Sequence, residues 1–258
     1  MKSVVKTPDV LLLTGCVRPV DGQAYLVLTN PEERLSQYRA SITYYLQRTK
    51  FPKVIFCDNS GWTLDFGDLT KLAAEHEKEF EVLSFCGNTH ETRIRGKGYG
   101  EGEIVAHALT HSRWAKDIRH FVKVTGRLIV HNMEDIRKRL DTSRFYINRL
   151  LLRNNPEVLD TRLYAISTEL YNRHFLALHK SIGVDFNLEQ AFTECIHRES
   201  LPFKCFPRYP EFRGICGGDG MVYGQESSRL LWAFRWASAC GIFNARWFSK
   251  GLAKWRMR

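Results

Sequence analysis

Four short apolar runs, Val10-Leu-Leu-Leu-Thr, Val54-Ile-Phe-Cys, Val82 to Phe85 and Phe121-Val-Lys-Val-Thr, alternate with stretches of helical periodicity, and this leaves few folds open. The runs predict strands buried on both faces. Strands alternating with helices imply right-handed crossovers and a largely parallel sheet covered on both sides. The expected class is α/β, with ligands collecting at the carboxyl ends of the strands.

The intervening segments carry their own signals. Asn30 caps a helix, Pro31 fills its first position, Glu33 completes an Asn-x-x-Glu cap, and Leu35, Tyr38, Ile42, Tyr45 and Leu46 share one face. Leu69 to Phe80 predicts a charged amphipathic helix and Glu103 to Ser112 another. After Val130 the pattern is mixed: Phe145 to Leu151 and Arg162 to Ile166 predict strands, while Thr168 to Ile182 and Leu188 to Ile196 predict helices. At 258 residues this is expected to be one main domain, 1–225, followed by a distinct segment, 226–258.

Three polar clusters fall on the expected carboxyl edge: Asp58-Asn59-Ser60-Gly61, the segment Arg93-Ile-Arg-Gly-Lys-Gly-Tyr-Gly-Glu-Gly-Glu-Ile, and Thr125-Gly126-Arg127. In the second, Gly96, Gly98, Gly100 and Gly102 alternate, which reads as a basic loop leading from a strand into a helix. Glycines permit sharp turns and close approach to a ligand, and Arg93, Arg95 and Lys97 supply charge for an anionic one. Neither familiar phosphate motif fits. The third glycine of a dinucleotide fingerprint would fall at Glu101 or Glu103, and Lys97 precedes Gly98 rather than the Ser or Thr of a P-loop. A solvated surface loop is the competing reading.

The formal charge of +10 and pI near 9.3 suit a nucleic acid, an anionic lipid or a phosphorylated substrate. Hydrophobic residues at 44% and charged residues at 26% exclude a disordered chain and a multi-span membrane protein. Much of the positive charge lies after Gln225, where seven Lys and Arg residues stand against Glu226 alone. Seven cysteines without Cys-x-x-Cys pairs predict reduced thiols and a cytoplasmic chain. Pro8 and Asp9 interrupt any leader-like apolar stretch, so secretion is not expected.

In its order of parts, roughly residues 8–132 resemble the nucleotide-binding half of GT-A-type glycosyltransferases, which move a sugar from a nucleotide-sugar to an acceptor. The segment Val54-Ile-Phe-Cys-Asp-Asn-Ser-Gly looks like the acidic strand end that holds base and ribose, with Asp58 and Asn59 as contacts; Asp58 also suits a plain turn. Arg-Gly-Lys-Gly-Tyr-Gly-Glu-Gly-Glu and Lys-Val-Thr-Gly-Arg are similar to segments of small glycosyltransferases of bacterial capsule and lipopolysaccharide assembly. The resemblance implies a Rossmann-like GT-A fold, a donor half at 8–132 and an acceptor half at 133–225. The donor contacts would come from Arg95, Gly96, Lys97, Gly98, Gly100, Thr125, Gly126 and Arg127.

One departure carries information. Where most such enzymes close the fourth strand with Asp-x-Asp to hold a divalent metal, this chain has Thr125-Gly126-Arg127. No metal ligand is expected there, and fixed cations, Arg95, Lys97, Lys123 and Arg127, would stabilise the leaving diphosphate instead. Alternation puts Lys123 on the same sheet face as Thr125, leaving open whether it faces the site. Magnesium or manganese is the alternative.

Inverting transfer also needs a general base. By resemblance this lies at a helix start beyond the nucleotide half, which points to Glu189 in Asp185-Phe-Asn-Leu-Glu-Gln-Ala-Phe, with Asp185 in reserve. Glu189 equally suits the positive end of a helix dipole, as do Glu101 and Glu103. Asp160, Arg162 and Asp219 are acceptor-side candidates; His90 and His111 read as structural or solvated.

In 226–258, Trp232, Trp236, Phe243 and Trp247 form one helical stripe beside Arg235 and Arg246. Such a helix suits an anionic membrane interface, or core packing, with RNA the lesser option. The expected partners are a nucleotide-sugar donor and a glycan or lipid-linked acceptor at the inner face of the membrane. A sugar-phosphate nucleotidyltransferase and a non-enzymatic nucleic-acid-binding protein are the alternatives.

Overall fold

The computed structural model describes residues 7–22, 26–150, 158–217 and 220–224. Segment 226–258 and Asp219, with the expectations attached to them, lie outside the described residues.

The chain alternates as expected. Strand β1 (Val10–Gly15) leads to helix α1 (Pro31–Arg48), then β2 (Lys53–Asp58), α2 (Gly67–Glu75) and β3 (Glu79–Ser84). Two helices follow, α3 (Thr89–Arg95) and α4 (Lys97–His111), before β4 (His120–Thr125). After these come β5 (Ile129–Val130), α5 (Met133–Arg137), β6 (Tyr146–Arg149), β7 (Leu159–Ser167), α6 (Thr168–His174), a 3-10 turn (Leu178–Lys180), α7 (Leu188–Arg198), β8 (Phe212–Ile215) and β9 (Val222–Tyr223).

Among the described residues the main sheet has six strands in the order β3-β2-β1-β4-β7-β6. The first four run parallel, and β7 pairs antiparallel with β4, Val124 opposite Leu163. This is a mixed α/β fold with a mostly parallel sheet, as the alternation predicts. β1 is buried along its whole length because its side chains feed two cores. Leu11 and Leu13 pack with Tyr38, Ile42 and Tyr45 of α1, whereas Val10 and Leu12 pack with Ile104, Val105 and Ala108 of α4 and Phe192 of α7. Both faces are therefore dry, which is what an all-apolar strand needs.

The α1 start forms as its sequence predicts, with Asn30 Oδ1 accepting from the Glu33 amide at 3.0 Å. β3 begins earlier than the apolar run, at Glu79, because it is an edge strand whose polar residues sit half exposed while Glu79 pairs with Lys53. The helix expected to reach Phe80 accordingly stops at Glu75, and the helix expected from Thr168 to Ile182 breaks into α6 and the 3-10 turn.

The alternating glycines depart furthest from expectation. They form no loop: Gly96 joins α3 to α4, and Gly98, Gly100 and Gly102 lie within α4. Gly96 has φ 89° and ψ 177°, a conformation essentially reserved for glycine. The helical glycines are sites of contact. A Cβ on Gly98 would lie 2.9 Å from Leu188 Cβ, one on Gly100 2.8 Å from Asn59 Nδ2, and one on Gly102 2.4 Å from His179 Cβ. Glu103, expected at a helix start, is instead inside α4, where its carboxylate accepts the Asn88 amide at the cap of α3.

Candidate functional site

The sheet reverses its winding between β1 and β4, and at such a switch point the crossovers diverge and leave a crevice. A cleft of about 1190 Å³ opens there, lined by Thr14, Gly15 and Cys16 at the end of β1, Asn59 after β2, Thr125 and Arg127 at the end of β4, and Asp160, Thr161 and Arg162 at the start of β7. Lys97, Gly100 and Glu101 of α4, and Glu189 of α7, complete one side. β8 and β9, which form a small sheet with β5 in the order β5-β8-β9, wall the other.

At the switch point the backbones meet closely. Gly126 donates its amide to Thr14 O at 2.9 Å, and a Cβ there would fall 2.6 Å from that same carbonyl oxygen. Two buried guanidiniums flank this junction. Arg34 donates from Nε to Cys16 O at 2.7 Å and from Nη1 to Leu28 O at 2.9 Å, and Arg127 donates from Nη1 to Gln37 Oε1 at 3.0 Å and to Ile215 O at 3.1 Å. Neither makes an ion pair among the described residues, although exposures of 5% and 8% take both largely out of water. Arg34 also donates from Nη2 to the Tyr38 hydroxyl at 3.3 Å and its charge reaches the Asp58 carboxylate, whereas Arg127 is held by carbonyl and amide oxygens; with no ion pair at either, charge is left available to an anion. Lys97 stands exposed at the mouth of the same cleft.

Opposite lies a polar cluster built on β4, β7 and α7. Lys123 is only 1% exposed, yet its ammonium donates to Glu101 Oε1, to Thr161 O at 2.8 Å and to Thr125 Oγ1 at 3.4 Å. Burial lowers the Lys123 pKa to about 7, against the opposing pull of the Glu189 and Asp160 carboxylates. Thr161 Oγ1 donates to Glu189 Oε1 at 2.9 Å, which ties that carboxylate to β7. Asp160 and Arg162 form a bidentate pair, Nε to Oδ1 at 2.8 Å and Nη2 to Oδ2 at 2.7 Å. The Arg162 guanidinium also lies 4.7 Å from the Phe212 ring centre and 5.0 Å from that of Tyr223, tying the small sheet to β7.

The expected site residues divide. Asn59, Lys97, Gly100, Thr125, Arg127 and Glu189 come together around the cleft. Asp58 turns inward: it is fully buried, its Oδ2 accepts Val17 N at 2.7 Å and its Oδ1 accepts Ser60 N at 2.8 Å. Burial raises its pKa, against hydrogen bonds from Ser60 and Val17 and the charge of Arg34. Its post is to hold the turns after β1 and β2 together. Arg95 also faces elsewhere, bonding Glu91 and donating to Ile182 O at 3.0 Å. Asp185 is exposed and off the cleft lining; Gly96 and Gly98, half-buried, are off it too. Gly126 serves the strand junction rather than the lining.

Arg34, Tyr38 and Cys16 went unforeseen as cleft residues. Tyr38 sat in the predicted core stripe of α1, but its hydroxyl accepts the Cys16 amide at 2.8 Å and so braces the cleft floor. Burial pushes the Cys16 thiol up to about 12, which leaves it a poor nucleophile.

No protein-family model matches the chain, and no curated protein matches it. Among solved structures it is similar to a protein described as a putative glucose-1-phosphate thymidylyltransferase from Bacillus anthracis, in complex with a sucrose, at 8% identity and a TM-score of 0.43, over 81% of this chain and 89% of that one. At that level of similarity the match adds nothing to the chemistry argued from the residues. No helix among the described residues is long and apolar enough to cross a membrane.

Proposed function

We propose that the protein is a nucleotide-sugar-dependent glycosyltransferase of GT-A-like type, working without a metal ion. The observation that carries this reading is the pair of buried guanidiniums, Arg34 and Arg127, at the β1/β4 switch point, which make no ion pair among the described residues and line one cleft with the Glu189 carboxylate. The donor diphosphate lies against Arg127 and Lys97, with the nucleoside toward Asn59 and the ends of β1 and β2. Glu189 takes the proton from an acceptor hydroxyl as its oxygen attacks the anomeric carbon. The bond from that carbon to the β-phosphate oxygen breaks, and the leaving diphosphate carries away the electron pair, its charge stabilised by the fixed cations.

The proposed acceptor is a glycan or lipid-linked sugar of bacterial surface polysaccharide assembly, with segment 226–258 docking on the anionic inner membrane face. Flotation with anionic vesicles tests the docking: the full chain should float and a chain ending at Gln225 should not.

Nucleotidyl transfer to a sugar phosphate is the second reading, favoured by the way Gly15, at the end of β1, and Cys16 and Pro19 just after it line the cleft. The two differ in what is released, a nucleoside diphosphate or pyrophosphate. The test is a thermal-shift screen of nucleoside diphosphates, triphosphates and nucleotide-sugars, with and without EDTA, followed by product analysis. Stabilisation by a nucleotide-sugar that persists in EDTA, with diphosphate release, supports metal-independent glycosyl transfer; pyrophosphate release from a triphosphate assigns the second reading, and absolute dependence on added magnesium or manganese overturns metal independence.

A further inference from the structure

Glu101 was read from sequence as a residue suited to a helix start, but its surroundings give it more to do. It sits in α4 facing the cleft, and its Oε1 is held by Lys123, a lysine sealed almost completely from solvent. Its other oxygen, Oε2, makes no hydrogen bond among the described residues. A buried ion pair is a poor way to stabilise a fold, since apolar side chains of similar volume usually do as well or better. Such a pair in a cleft is, by contrast, an effective way to fix one carboxylate oxygen in place.

The neighbours narrow the ligand. Lys123 also donates to the Thr161 carbonyl, and Thr161 in turn holds Glu189, so Glu101 and the proposed base share one hydrogen-bonded frame. Arg34 and Arg127 lie at the β1/β4 junction instead, where a phosphate suits them. A fixed carboxylate oxygen beside the proposed base, one helical turn from Lys97 and away from the β1/β4 junction, suits a hydroxyl donor on the group being transferred.

Resting on the glycosyltransferase reading, we infer that Glu101 is a specificity-determining residue that accepts a hydrogen bond from a hydroxyl of the transferred sugar, with Lys123 as its positioning residue. A hydrogen bond to a charged group contributes enough for roughly a ten- to hundredfold effect on affinity.

The experiment measures affinities of the full chain for UDP, GDP, dTDP and CMP and for a panel of their sugar conjugates. Wild type should bind one conjugate more tightly than its parent nucleotide. Glu101→Gln should lose roughly ten- to hundredfold in that ratio while the parent nucleotide still binds as before. The double variant Glu101→Ala/Lys123→Met, which leaves no unpaired buried charge, should show the same loss with an unchanged melting profile. An unchanged ratio in both variants overturns the assignment, as does an equal loss for the parent nucleotide, which would place Glu101 on the ribose. Failure of wild type to bind any nucleotide or conjugate would instead overturn the glycosyltransferase reading itself.

Discussion

Replacing Gly102 with alanine sets two effects against each other, and the structure decides the sign. Within a helix, glycine to alanine is expected to stabilise by about 1 kcal/mol. Here the added methyl would lie 2.4 Å from His179 Cβ and 2.9 Å from His179 Cγ. Ordinary carbon contacts need about 3.5–4.0 Å, so the overlap exceeds an ångström. His179 cannot relieve it by changing rotamer, because its Cβ moves only with the backbone of the 3-10 turn. That turn is backed by buried Ile182 and Leu188. Overpacking of this kind costs about 1–3 kcal/mol, and more where backbone must shift. An overlap this large against a backbone-tied Cβ puts the cost at the upper end, about 2–3 kcal/mol, so net of the helix gain about 1–2 kcal/mol of destabilisation follows, or a fall in melting temperature of about 2–8 °C for a chain of this size. Calorimetric melts of wild type, Gly102→Ala and Gly98→Ala make the comparison, the last facing Leu188 Cβ at 2.9 Å and expected to suffer less. A Gly102→Ala melting temperature at or above wild type would mean that α4 does not pack against the 3-10 turn and that the glycines serve some other purpose.

Glu189→Gln should reduce kcat by about 10²- to 10⁴-fold while donor affinity stays within about threefold; unchanged turnover in a steady-state assay removes Glu189 from the mechanism. Arg127→Met should weaken nucleoside diphosphate binding by about 100-fold or more, read by calorimetric titration, and near-wild-type binding would move the diphosphate elsewhere. His120 makes stability sensitive to acid, because burial lowers its pKa from 6.5 to about 4. The folded state then binds fewer protons than the unfolded chain, so this contribution is complete above pH 6.5 and is lost as pH falls toward 4, by about 3 kcal/mol at most. Urea titrations at pH 7 and 4.5 should show a smaller loss in His120→Gln than in wild type; equal losses would place the titrating group elsewhere.

The strands and the α1 cap were legible because their signals are local: an apolar run for each strand, and Asn30, Pro31 and Glu33 for the cap. Their meeting at a carboxyl-edge cleft followed from topology alone. What stayed hidden depends on distant partners. Spacing alone makes alternating glycines look like a loop, and only Asn59, His179 and Leu188, brought in by the sheet and the later helices, explain why a helix carries them. Lys123 and Glu101 lie on different elements, and nothing local to either announces a pair. Asp58 was credited with a ligand because a strand-end carboxylate looks the same whether it faces a cleft or a neighbouring turn; the amide of Val17 decides that it faces inward. The strands β5, β8 and β9 are too short to show periodicity, so no local signal announces the wall they build.

The direction of β7 has a consequence for how such a cleft can be altered. β1, β2 and β4 deliver residues as the chain leaves each strand, whereas antiparallel β7 delivers Asp160, Thr161 and Arg162 as the chain enters it. Insertions after the parallel strands therefore remodel the phosphate side, and substitutions at the start of β7 remodel the Glu189 side. The two halves of the cleft can be varied as separate modules on one unmoved sheet.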